Sequence, residues 1–382
     1  MSIEEAGHKQ ASIRRVNRED LKPGMVMGRD VITSEGEVLF TKDEPVNLET
    51  YNKLGEKGIH SVYIKEVVIT LEQDEDIEPE EVHEELLESQ ENKPKIVSVT
   101  ERKNFSEFAN GYYEKVKAAE RQLKAVSDGA TVNIAELYET TYATFSKLKA
   151  KSDVLTYMPF LNAHDEHVIS HSYNVSLLCS LFADWVKMDE QSTINLTVAG
   201  LLHDIGKFKV PSDVLYKESK LTNEEFAAVK SHAKLGYDIL KDSDIPEDIK
   251  LGALMHHERF DGSGYPDGIK GAQINNFARI IAICDTYDAM TANRAYRSKI
   301  CPFDVIKQFE ADGYNKYDTS YLLTFLSNIA YIYFGSWVKL SNGEEGEVVY
   351  IHQNNLSRPV VKVGDKLIDL QKMTDVSISN VF

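Results

Sequence analysis

Three observations predict a mainly α protein with a small β module at each end. Apolar residues recur at helical spacing almost continuously from Phe105 to Phe334. Residues 17–69 and 337–363 instead alternate apolar and polar, with turn residues between the runs. Six of the eleven histidines (His167, His171, His203, His232, His256 and His257) fall within 91 residues of the helical stretch. With 382 residues, 42% of them hydrophobic, the chain is long enough for two or three domains and a sizeable core.

The N-terminal β-rich module takes residues 1–70. Its signals are the Lys22-Pro23-Gly24-Met25 turn, Val31-Ile32, Val38-Leu39-Phe40, a helical patch from Leu48 to Gly55, and Ser61-Val62-Tyr63-Ile64. Residues 71–100 form an acidic linker: from Glu72 to Asn92 there are eleven Asp/Glu and no Lys or Arg. Such a run is a solvated linker or fraying helix, with a partner-binding tail as the sharper alternative. Residues 101–152 are a helical lead-in. Phe105, Phe108, Tyr112 and Val116 share one helical face, and Ile134, Leu137, Tyr138, Thr141, Phe145 and Leu148 share another, with a break at Ser127-Asp128-Gly129. This pair is expected to pack on, or dimerise beside, the helical domain of residues 153–335. Within that domain Thr222-Asn223-Glu224-Glu225 is a capping box. It opens one helix whose apolar face is Phe226, Val229, Ala233, Gly236, Ile239 and Leu240. Residues 336–382 return to period two as a C-terminal antiparallel β module, with a Ser-Asn-Gly turn after Trp337–Leu340.

A net charge of −18 argues against binding a nucleic-acid polymer through a basic surface. An anionic small substrate remains compatible if metal and local Lys or Arg reverse the sign at the site. No apolar run reaches the ~18 residues of a membrane span, and the N-terminus lacks a basic and an apolar region in succession. Cys179, Cys284 and Cys301 offer neither a disulfide framework nor a CxxC. A cytoplasmic location is expected.

The helical domain is organised around Gly200-Leu201-Leu202-His203-Asp204-Ile205-Gly206-Lys207. Successive side chains on a helix point about 100° apart, so His203 and Asp204 can grip one ion only near a helix end. Gly206 is read as the point where the backbone leaves the helix, and Lys207 as a cation beside whatever the metal holds. His167 and His171 are four apart, on one helix face. His232 faces inward with Val229 and Gly236, and His256-His257 close another apolar helix. Asp285 follows the apolar run Ile280 to Cys284, where a carboxylate needs a partner; Cys284 itself is a small core residue. Taken singly, each is an ordinary hydrogen-bonded core residue; their concentration points to a metal site. His171, His203, Asp204, His232, His256, His257 and Asp285 exceed the three ligands and a water of a single hydrolytic site. They suit two ions about 3.5–4 Å apart, with Asp204 as the natural bridge. Imidazole and carboxylate without thiolate favour Fe or Mn, and Zn less. Such a pair acidifies a bridging water, giving a metal-bridging hydroxide at neutral pH.

Together these residues resemble the HD-GYP family, a branch of the HD phosphohydrolases. The resemblance runs from about Asp165 to Lys299. It rests on Asp165-Glu166-His167 to His171-Ser172, GLLHDIGK at 200–207, Val210-Pro211, Leu221 to Glu225, His232, HHERFDGSGYP at 256–266, and Asp285 through Arg297. It implies hydrolysis of cyclic di-GMP to linear pGpG, often on to GMP, with the seven residues named above as ligands. It also implies Lys207 by the scissile phosphate, Gly264, Tyr265 and Pro266 at the substrate mouth, and Arg294 and Arg297 on phosphate or guanine. Two departures stand out. Ala295 replaces the family's usual Pro, and His167 stands where three-metal members carry Glu, which sets the expected ion count at two. The rival readings are a phosphodiesterase for nucleotides or another cyclic dinucleotide, and a non-catalytic sensor or partner-docking protein. His232, His256, His257 and the Gly-Ser-Gly-Tyr-Pro loop favour cyclic dinucleotides. The end modules look like modules that often flank this domain and hold no candidate ligand. They are expected to regulate, through a homodimer or a signalling partner, so that residues 130–335 suffice for activity.

Overall fold

A computed structural model describes residues 103–148, 151–161, 167–217, 219–291 and 300–382. From the N-terminal segment it adds 12–17, 21, 26–33, 38–42, 44, 46, 50, 53–54, 57, 59 and 61–66. The predicted acidic linker, the Lys22–Met25 turn, Arg294 and Arg297 lie outside the described residues, as do Asp165, Glu166 and the side chain of His167. The chain divides into two compact units, Met1–Pro94 and Lys95–Phe382.

The first unit is β-rich. Strands β1 (Ser12–Asn17), β2 (Val26–Met27) and β5 (Ser61–Glu66) form an antiparallel sheet in the order β1-β5-β2, and β3 (Val31–Ile32) pairs with β4 (Val38–Phe40). Alternation sorts the faces of β5: Val62 and Ile64 are buried with Val16, Met27, Phe40 and Leu54, while Tyr63 faces out beneath the Arg29 guanidinium.

The second unit is mostly helical. In chain order its helices are α1 (Lys103–Ser127), α2 (Ile134–Tyr142), α3 (Asp153–Tyr157), α4 (His167–Trp185), α5 (Glu190–Leu202) and α6 (Ser212–Leu215). There follow α7 (Asn223–Lys230), α8 (His232–Leu240), α9 (Glu247–Met255), α10 (Asn276–Thr291), α11 (Pro302–Lys316) and α12 (Thr319–Ile332). Side-chain caps set several of the starts: Asn133 accepts from the Glu136 amide, Asp189 from Ser192, and Asp318 from Ser320 and Tyr321. The Ser127-Asp128-Gly129 break falls where predicted, with Gly129 at φ +101°. The Thr222 capping box forms, but the single helix expected after it is two, parted at Ser231. Phe226 is 51% exposed rather than core; the inward face begins only with His232, Ala233, Gly236 and Leu240. α4, α5 and α10 are apolar on nearly every side, which places them at the centre of the bundle. No helix among the described residues is long and apolar enough to cross a membrane.

The C-terminal strands β6 (Trp337–Leu340), β7 (Glu345–His352), β8 (Asn355–Val363), β9 (Lys366–Asp369) and β10 (Ile378–Val381) form an antiparallel sheet in the order β10-β6-β7-β8-β9. Glu310 of α11 ties it to the bundle, accepting from the Leu356 amide at 2.7 Å and from Ser357 Oγ at 2.5 Å. Val338, Leu340, Val348, Ile351, Leu356 and Val361 share one apolar core with α1 and the central helices. Stripping the sheet would expose side chains whose burial is worth about 1.5–3 kcal/mol each. A chain of residues 95–382 should therefore fold and melt as that unit does in the full protein. Residues 130–335 should aggregate or melt early, as size exclusion and thermal melts would reveal.

Candidate metal centre

The site forms where helices stop. His203 is the C-cap of α5, and Asp204 follows at φ −99° and ψ 10° before the 3₁₀ turn Ile205–Lys209. The change of direction lets two adjacent side chains reach one point. Gly206 has a different reason from the one expected. A Cβ there would sit 1.9 Å from the carbonyl oxygen of His232 and 2.4 Å from the Gly236 nitrogen. Its missing side chain is what lets the turn press against α8.

Three imidazoles are oriented in the same way. Nδ1 of His203 donates to the Gly200 carbonyl (2.7 Å), that of His232 to Val229 (2.6 Å) and that of His256 to Ala253 (3.0 Å). Each Nε2 is thus left as a lone pair aimed inward. The fourth, His171, donates Nδ1 to Asp288 Oδ2 at 2.7 Å, with Nε2 lying 3.0 Å from Asp285 Oδ1.

The donors fall into two groups, each with ligand atoms within 4.8 Å of one another. One holds Asp204, His232, His256 and His257, and the other His171, His203 and Asp285. Asp204 faces both. Its Oδ1 is 3.2 Å from His232 Nε2 and 3.7 Å from His256 Nε2, while Oδ2 is 3.3 Å from His203 Nε2 and 3.7 Å from His171 Nε2. Lys207 Nζ donates to the same Oδ2. Asp285 Oδ2 lies 3.8 Å from His257 Nδ1.

The donor chemistry fits a cation. His232 Nε2 and His256 Nε2 are 3.2 Å apart, yet both Nδ1 atoms carry the ring proton, so two lone pairs face each other. His203 Nε2 and Asp204 Oδ1 are buried with no hydrogen-bond partner, a costly arrangement unless something positive lies between them. Charge states agree. Burial, reinforced by His257 and His203, holds His256 well below the usual imidazole range, and burial takes His257 down to about 3. Burial alone would raise Asp204 and Asp285. Lys207 and His203 outweigh it at Asp204, and His171 does so at Asp285, so both stay ionised. His171 moves the other way: burial opposes its charge, but Asp285 and Asp288 draw it up to about 10. Two carboxylates and inward-facing imidazoles make a donor set for divalent metal, and an ion bound there would displace the proton that the carboxylates draw onto His171.

Gly264 and Tyr265 return the loop to the site. A Cβ on Gly264 would meet the His257 carbonyl oxygen and the Arg259 nitrogen at 2.4 Å. Tyr265 stacks on the His257 ring (4.6 Å, 28°), and Pro266 is exposed beyond it. Glu258, buried, accepts from the Asp267 amide at 2.8 Å and holds the loop down. Lys230 Nζ lies over the rings of Tyr265 (5.0 Å) and Phe226 (4.7 Å), so a cationic and aromatic strip leads outward from His257.

Sequence reasoning missed Asp288. The signal was available: a second carboxylate three residues after Asp285 lies on the same face of the same apolar helix.

Residues 156–321 match a family described as HD domain. Over these residues the chain is similar to HD domains. The chain is 35% identical over 207 residues to a cyclic di-GMP phosphodiesterase of Pseudomonas aeruginosa, covering 53% of this chain and 49% of that protein. It is 33% identical over 208 residues to a cyclic di-GMP phosphodiesterase of Thermotoga maritima, covering 53% of each. A 3'3'-cGAMP-specific phosphodiesterase of Vibrio cholerae is 35% identical over 140 residues, covering 37% of this chain and 32% of that protein. The chain thus spans about half the length, or less, of these curated relatives.

Proposed function

We propose that this protein is a divalent-metal-dependent phosphodiesterase that hydrolyses cyclic di-GMP to linear pGpG. The observation that carries this reading is the placement of Asp204, with one carboxylate oxygen toward each of two donor groups. His232, His256 and His257 would hold one ion, and His171, His203 and Asp285 the other, with Asp204 shared between them. Bound ions would acidify a water and neutralise phosphate charge. The other tasks belong to the chain. Lys207, anchored on Asp204, puts a fixed positive charge beside a phosphate oxygen. Tyr265, Lys230 and Phe226 offer stacking and cationic surface, the chemistry that suits a nucleobase and a second phosphate. Arg294 and Arg297 are read as further phosphate or guanine contacts on sequence grounds alone. The buried free cysteines accord with a cytoplasmic setting, and the end modules are read as regulatory surfaces for a homodimer or a signalling partner.

The specificity test sets purified, metal-loaded protein against cyclic di-GMP and 3'3'-cGAMP, with products separated by chromatography. Preference for cyclic di-GMP is expected, in line with the names of the first two relatives. Preference for 3'3'-cGAMP would move the protein to the second reading, which the Vibrio relative favours. Folded, metal-replete protein that leaves both intact would make it a sensor.

The metal is expected to be Fe or Mn, two per chain. A third ion would need a bridging carboxylate one helical turn ahead of His171. His167 at that position offers one uncharged nitrogen donor to a metal and cannot bridge two ions. Elemental analysis after anaerobic purification should give about two Fe or Mn, as the two donor groups require, and His167→Ala should leave that number unchanged. Loss of an ion in His167→Ala would overturn the assignment.

A further inference from the structure

Building on the metal-centre reading, we infer that Tyr112, on α1, is a positioning residue for that centre. Three hydrogen bonds run from it to a ligand. Tyr112 Oη donates to Asn174 Oδ1 at 2.7 Å and Asn174 Nδ2 to Asp288 Oδ1 at 2.9 Å, and His171 Nδ1 donates to Asp288 Oδ2 at 2.7 Å. The chain has one sense. Were the Asn174 amide reversed, its oxygen would face the carboxylate and its NH₂ would lose that acceptor.

Each link constrains the next. Asp288 is buried, and both of its oxygens are engaged, one by the ligand and one by Asn174. A carboxylate fixed at both oxygens cannot turn, so the plane of the His171 ring and the proton on Nδ1 are set together, and Nε2 stays aimed at the site. Asn174 shares α4 with His171, three residues on, and Asp288 shares α10 with Asp285 at the same spacing. The relay therefore straps together α4 and α10, the helices that carry His171 and Asp285 of the second donor group. Tyr112 closes it from a third helix. Its ring is held by edge contacts to Tyr113 and Tyr173, both at 5.5 Å, so the position of its hydroxyl follows α1. Burial keeps that hydroxyl protonated and a donor at neutral pH. On this view α1, which the sequence places in a lead-in ahead of the catalytic domain, sets the geometry of a metal ligand.

The test uses the full-length protein, stripped by chelation and titrated with Mn²⁺ by calorimetry. Tyr112→Phe keeps the ring and removes the hydroxyl, and Asn174→Leu, measured alongside it, cuts the relay at its middle. Asp288→Asn should weaken Mn²⁺ binding about 10–100-fold, as for a direct partner of a ligating histidine. Tyr112→Phe and Asn174→Leu should each weaken it roughly 3–10-fold or more, with little change in melting temperature, acting further along the same chain. In the Asp288→Asn background Tyr112→Phe should add nothing, because the relay is already cut. Wild-type affinity in both Tyr112→Phe and Asn174→Leu, or the same loss with Asp288 present and absent, would overturn the inference. A wild type that binds no Mn²⁺ would instead overturn the metal-centre reading on which it rests.

Discussion

Asp204→Ala is expected to abolish hydrolysis of cyclic di-GMP and to empty the site of metal. Asp204 gives one oxygen to each donor group at 3.2 and 3.3 Å, whereas Asp285 reaches the first group only through His257 at 3.8 Å, so the loss of Asp204 removes the closer shared ligand from both at once. It also leaves the Lys207 ammonium beside four imidazoles with no anion between them, and that arrangement repels any second cation. Turnover should fall by roughly three orders of magnitude or more, about 4 kcal/mol of lost transition-state stabilisation. Metal content should fall with it. Asp204→Asn separates the contributions of shape and charge: it keeps the size but neither the charge nor two equivalent acceptors, and it should be nearly as inactive. Both variants need a circular-dichroism melt beside the kinetics. A folded Asp204→Ala protein that keeps its metal and more than about a tenth of its activity would exclude the bridging role.

Gly206→Ala should have the largest effect on the fold of any single methyl group added near the site. The new carbon would meet the His232 carbonyl oxygen at 1.9 Å and the Gly236 nitrogen at 2.4 Å. Both are backbone atoms, so no rotamer change relieves the clash, and α8 must move as a whole. Overpacking of this kind costs about 3 kcal/mol or more, a fall in melting temperature of roughly 6–12 °C. Because α8 begins at His232, the same displacement pulls a donor away from Asp204 and should lower metal affinity. Gly236→Ala is the control. Its nearest neighbours are 3.3 Å or more away, so it should melt close to wild type. Equal melting of the two variants would show that the turn yields more easily than its contacts imply.

Much of this was legible in the residues, and what escaped has physical causes. Periodicity located α1, α2 and strands β3 to β8 because each pays for order by burying one face, and the pattern of that face is written in the sequence; β1, β9 and β10 lie outside the runs it marked. The seven donors were legible as a set because imidazoles and carboxylates within apolar helices have few other reasons to gather. The break at Ser231 was not legible. Helical spacing continues across it in register, and only the tertiary docking of α8 on the 205–209 turn forces the chain to restart. Phe226 misled for a related reason: it sits at a core spacing on a helix whose every residue is at least partly exposed. Gly206 was read as a helix exit, although its requirement comes from a segment some 30 residues away. Asp288 and Tyr112 were hidden because they act through partners on other helices, and periodicity reports a face without saying what the face touches.

The imidazole protons of His203, His232 and His256 rest on carbonyls in the closing turns of α5, α7 and α9. Each ring thereby serves as the terminal acceptor's partner that a helix end otherwise draws from solvent. This makes helix length a quantity the site can sense. One residue inserted near any of these ends would leave the helix intact but advance its end by about 100°. The carbonyl would then point elsewhere and the ring would swing out of the centre. The outer faces of these helices are free to drift in composition, but their residue counts are not, and related chains should differ here by substitution far more than by insertion or deletion.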